Sequence, residues 1–92
     1  MSTVLIAYDL NSPGQDYKTL IEKIKTYGTW WHHLDSLWIV KTDSTAKTVR
    51  DALAPLIDSG DELLVIDVSN NSAAWNGFNQ KGSDWLKTHL FE

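Results

Sequence analysis

The chain has no cysteine. That excludes a disulfide framework and any thiolate nucleophile or thiolate-bound metal. Arginine is almost missing too: Arg50 is the single arginine among eight basic residues, against twelve acidic ones and a net charge of −4. Binding along a phosphate backbone depends on clustered Lys and Arg, so this balance argues against a strong non-specific DNA binder. It leaves room for a local basic patch, a metal-bridged phosphate site or a protein partner. No apolar run approaches the roughly 18 residues that span a bilayer, and the first residues lack the basic-then-apolar pattern of a signal peptide. A cytoplasmic protein with no membrane segment is the expectation. Repeats and low-complexity stretches are also lacking, and 92 residues suit one domain rather than two.

Aromatic and aliphatic residues are plentiful. Hydrophobic residues make up 42% and include five Trp, enough for a core or an interface in a chain whose small size limits burial. The run Val4-Leu5-Ile6-Ala7-Tyr8-Asp9-Leu10 reads as a buried strand closed by a carboxylate. Ser12 then offers a helix cap, Pro13 a first helical position and Gln15 a reciprocal capping partner. Tyr17, Leu20, Ile21, Ile24 and Tyr27 follow at helical spacing. Gly28 is placed to end that helix in the left-handed conformation.

Residues 29–33 and 37–41 read as two strands, with Leu34-Asp35-Ser36 as a tight turn or bulge. Asp43 and Ser44 are the expected caps of a second helix whose stripe is Ala46, Val49, Leu53, Leu56 and Ile57, with Pro55 kinking its last turn. Residues 62–68 make a fourth strand. The order β-α-β-β-α-β predicts an α+β, ferredoxin-like fold over residues 3–68: an antiparallel sheet with both helices on one face. Residues 69–92 then form a C-terminal aromatic arm and a short helix capped by Ser83. Trp75, Phe78, Trp85, Leu86, Leu90 and Phe91 are too apolar for a disordered tail, so they should dock on the uncovered sheet face or on another subunit.

Several segments carry a family resemblance: the strand ending Ala7-Tyr8-Asp9-Leu10, the helix ending Lys25-Thr26-Tyr27-Gly28, the Ser36-Leu37-Trp38 opening of a strand, and Ile57-Asp58-Ser59-Gly60-Asp61 before the last strand. Together they resemble the small CRISPR-associated ferredoxin-fold proteins and the VapD-type ribonuclease toxins. The opening Tyr8-Asp9-Leu10-Asn11 with Pro13-Gly14-Gln15-Asp16-Tyr17, the Trp30-Trp31-His32 segment and the Ala73-Ala74-Trp75 and Ser83-Asp84-Trp85-Leu86 tail are similar to small bacterial and phage proteins labelled "SinR family". The resemblance implies a homodimer whose sheets meet across a two-fold axis, with C-terminal segments that often cross to the partner. It also implies that Asp9 lies near that axis, supporting metal-dependent phosphodiester cleavage in some members and none in others.

Asp9 is therefore the candidate metal ligand and catalytic residue, with Mg²⁺ as the candidate ion, because a hard cation accepts a few carboxylates and activates water. The plainer reading is a strand-end turn cap. His32 and His33 are adjacent, so a regular strand points them to opposite faces. His33 stands as a weaker acid–base candidate; packing with a hydrogen-bonded ring is the alternative. Trp30, Trp31 and Trp38 are expected in a core or dimer interface with the tail residues, although such rings also stack on unpaired bases. Two functions are carried forward: a nucleic-acid-linked homodimer, either a metal-dependent nuclease or an inactive descendant, and a non-catalytic protein-binding or regulatory module, as in phage–host conflict.

Overall fold

The computed structural model describes residues 1–11 and 17–90. Strand β1 (Ser2–Asp9) lies inside a sheet flanked by β3 (Leu37–Thr42) and β4 (Glu62–Asp67), with β2 (Trp30–Leu34) beyond β3. The four strands pair in the order β2-β3-β1-β4, all antiparallel. Helices α1 (Lys18–Lys25), α2 (Ala46–Leu53) and α3 (Gln80–His89) complete an α+β fold.

Alternation along the strands divides the apolar residues between two layers. Val4, Ile6, Trp38 and Val40 face Leu20 and Ile24 of α1 and Val49 and Leu53 of α2 in a buried core. The opposite face carries Trp31 and Ile39 against Leu86 and Leu90, with Trp75, Phe78 and Trp85 packed around them. The arm and α3 thus dock on the chain's own second sheet face. They cover its β2–β3 half and leave Leu64 and Ile66 of β4 53% and 42% exposed. Asn70 adopts a left-handed φ of 56°, a conformation that asparagine tolerates, where the chain turns back from β4.

Local details depart from expectation for physical reasons. Thr45, not Asp43 or Ser44, caps α2: its hydroxyl accepts from the Thr48 N–H. Pro55 sits in a short 3₁₀ turn, Ala54–Leu56, after α2, as its missing N–H requires. Helix α3 starts before Ser83, because the Asn79 side chain captures the Gly82 N–H. Gly28 is not left-handed, since Gly77 is the glycine with positive φ among the described residues. Its role is steric: a Cβ there would stand 2.8 Å from the Lys41 carbonyl oxygen. The expected caps Ser12 and Gln15, the Pro13 position and the Phe91 docking contact lie outside the described residues.

Candidate functional site

β2 is an edge strand, and its irregularity builds the most distinctive surface of the protein. Trp31 pairs with Ile39 and Leu34 with Leu37, so His32 and His33 together oppose Trp38 in a bulge. The turn after it, Asp35-Ser36, has no positive φ, so it cannot supply the strand twist that primed hairpin turns provide. The bulge adds local twist instead.

The two histidines still go to opposite faces. His32 stacks flat on Trp38 at 3.7 Å between ring centroids, with Nδ1 3.1 Å from the Leu37 carbonyl. His33 lies beside Trp31 and Phe78 and over Gly82, where an added Cβ would come within 3.1 Å of the imidazole. Trp31 is buried and donates its indole N–H to the Gly82 carbonyl at 3.1 Å. Trp38 is buried and donates to the Tyr8 hydroxyl.

Trp30 differs from these. It is 40% exposed, and the Lys25 ammonium stands 5.4 Å from its ring centroid, within cation–π range. Across the strand edge, Trp85 is held by a 2.8 Å hydrogen bond to the Thr29 hydroxyl and by contact with His89. Between these features runs an open cleft of about 580 Å³ lined by residues 28–33 together with Lys81 and Trp85. Among the described residues, none that lines it is acidic, in a chain with twelve carboxylates. The contributions of Lys25 and Lys81 are not visible in the sequence, because α1 and α3 are brought to β2 only by the fold. The one hint is that Lys25 lies off the apolar stripe of α1.

Asp9 occupies a different place. It ends β1, exposed, directly across from Glu62 of β4. Like charges opposite each other in a sheet repel. β3 separates β1 from β2, and strands lie about 4.8 Å apart, so Asp9 and His33 do not form an acid–base pair. Among the described residues, no group of three or more His, Asp or Glu is arranged to hold a metal ion.

Asp61, beside this corner, has a structural task. Its carboxylate accepts from the Asn11 N–H at 2.7 Å, the Tyr17 hydroxyl at 2.7 Å and the Asp58 N–H at 2.8 Å. Desolvation is the largest single influence on its pKa and raises it, but the three hydrogen bonds together win and hold it below the ordinary aspartate value. Asp67, exposed at the end of β4, is likewise lowered, first by the Ser69 hydroxyl and then by the Ser69 N–H.

Comparison with family models, with curated proteins and with solved structures finds no match to this chain.

Proposed function

We propose that the chain is a ferredoxin-like homodimer that binds single-stranded nucleic acid in the β2 cleft and does not cut it. The observation that carries this reading is the cleft itself: an exposed Trp30 backed by Lys25, with Trp85 and Lys81 across a strand edge and no carboxylate among the described residues that line it. Bases stack on aromatic faces without regard to sequence, while ammonium groups meet the phosphates. The overall charge of −4 then works as a filter. It disfavours coating of duplex DNA, which needs an extended basic surface, and leaves one local cationic path. The sheet order, with α1 and α2 on one face, supports the ferredoxin-like reading. Exposed Leu64 and Ile66 support self-association, and a cysteine-free chain suits a reducing cytoplasm.

Tryptophan fluorescence during titration with a short single-stranded oligonucleotide tests the reading. Saturable quenching is expected at low salt. Loss of one stacked base is worth about 1–3 kcal/mol, so Trp30→Ala should weaken binding by about fivefold to over a hundredfold. No saturable change, or equal affinity in Trp30→Ala, overturns it.

A metal-dependent nuclease is the second reading, favoured by the Asp9–Glu62 pair. Mg²⁺ binds proteins through one or two carboxylates and keeps waters and substrate phosphates as its other ligands. The pair fits that minimum, with Asp9 and Glu62 as the holding groups and the ion supplying an activated water.

A further inference from the structure

The two edges of the sheet are built differently. β2 is interrupted by its bulge, a device that blunts an edge against strand addition. β4 is not. It pairs with β1 without a register shift from Val4↔Asp67 to Asp9↔Glu62. Between its terminal carboxylates it reads Leu63-Leu64-Val65-Ile66, with neither Lys nor Pro to protect it. Among the described residues, no strand lies beyond it.

Hydrogen-bond parity fixes what this edge offers. The Val68 N–H donates to the Thr3 carbonyl at 2.8 Å, so Thr3 and Val68 are a hydrogen-bonded pair. Alternation then turns the main-chain groups of Glu62, Leu64 and Ile66 toward β1. The N–H and C=O groups of Leu63, Val65 and Asp67 point to the open side. An antiparallel partner of the same sequence must therefore match odd-numbered residues to odd-numbered ones. The symmetric register that sets Glu62 opposite Asp67 breaks this parity and also opposes two carboxylates.

We propose that β4 pairs antiparallel with β4 of a second copy, in a register centred on Val65, joining the two sheets into one. This rests on the homodimer reading and names its interface. In this register Val65 faces its own mate and Leu63 faces Asp67 of the second copy. Leu64 and Ile66, both exposed in the single chain, meet across the junction as a close non-hydrogen-bonded pair, about 4.5 Å between Cα atoms. Glu62 faces Val68, so no like charges are opposed. Charge is also complementary. By alternation Asp67 lies on the side of Leu63 and Val65, the helix-covered face, and Lys47 and Arg50 of α2, which share Asp51 as a partner, border Leu63 and Val65 there. Each Asp67, held by Ser69 in its own chain, is thereby brought to a cluster of the other copy that carries one net positive charge.

Light scattering combined with residue-resolved amide exchange tests this. The expected result is a mass of two chains, with the Leu63, Val65 and Asp67 amides exchanging at least about tenfold more slowly than free edge amides, which open at almost no cost. Val65→Pro provides a second arm. Its N–H makes no bond within the chain, so an edge proline is tolerated there, and the folded variant should have the mass of one chain. A dimer whose three amides exchange freely, or a folded Val65→Pro dimer, overturns the edge pairing and leaves the homodimer standing. A single-chain mass for the wild type overturns both. If Val65→Pro does not fold, the exchange rates decide.

Discussion

Lys41 ties the end of helix α3 to the sheet: its ammonium, on a residue only 3% exposed, donates to the main-chain carbonyl of His89 at 3.1 Å and to the Thr3 hydroxyl at 2.9 Å. The Thr3 hydroxyl in turn donates to the same carbonyl at 3.1 Å. A cation at a helix C-terminus meets the negative end of the dipole. The residue that looks like a misplaced charge in an apolar strand is therefore the clasp of the C-terminal arm. Lys41→Met keeps the length of the side chain and removes the donor. It should cost about 1–3 kcal/mol, read as a lower denaturant midpoint. An unchanged midpoint contradicts the clasp.

Trp31 is the keystone of the second layer, 2% exposed, in edge contact with Phe78 at 4.9 Å and bonded to Gly82. Trp31→Ala should cost about 3–5 kcal/mol, a large share of the roughly 5–15 kcal/mol that holds a domain together. Chemical denaturation should show a protein that is unfolded or barely folded. Trp85→Ala, at a less buried ring, should cost less. A Trp31→Ala protein of wild-type stability would mean that the arm is not part of the core.

Acid should loosen the corner where residues 58–61 meet Asn11 and Tyr17. The folded-state pKa of Asp61 lies below the ordinary aspartate value. The stability it contributes is therefore present above that value and lost as pH falls through the lower folded-state pKa. Asp51 and Asp67 are shifted the same way, so the comparison with Asp61→Asn isolates one group. Denaturant midpoints measured from neutrality down to strong acid should fall less steeply below about pH 4 in that variant. Equal slopes for both proteins would remove Asp61 from the account.

Much of the fold was legible because it rests on local pattern. Short continuous apolar runs placed β1, β3 and β4, and the stripes of Leu20 and Ile24 and of Val49 and Leu53 placed α1 and α2. The misread positions are those where several residues compete for one local role. Asn79 and Ser83 are both competent caps, and the earlier one took the helix. Gly28 looked like a conformational glycine, but its lack of a Cβ serves the approach of Lys41 from a distant strand. The cleft was hidden for the same reason. Trp30 could be singled out as an aromatic, but Lys25, Lys81 and Trp85 reach it only through the packing of α1 and α3 around β2. Asp9 was conspicuous in sequence, whereas its partner Glu62 is set by strand register alone.

That partnership yields a test of the nuclease reading. Asp9→Asn removes a like charge facing Glu62, so the variant should melt at the wild-type temperature or slightly above it. The homogeneous wild-type protein should show no Mg²⁺- or Mn²⁺-dependent cleavage of RNA or DNA. Robust cleavage that vanishes in Asp9→Asn and with chelator would replace the binding account with the catalytic one.

The central claim is that the β2 cleft holds single-stranded nucleic acid, and the five tryptophans report on it directly. Their indole N–H resonances sort by partner: Trp31 donates to Gly82, Trp38 to Tyr8, Trp75 to Ser83 and Trp85 to Thr29. In a titration with a single-stranded oligonucleotide followed by heteronuclear NMR, the Trp30 and Trp85 signals should shift together, with the Gly28 and His33 amides and in proportion to occupancy. The Trp75 signal should stay in place. Shifts confined to other surfaces, or no shift at saturating oligonucleotide, would contradict the account.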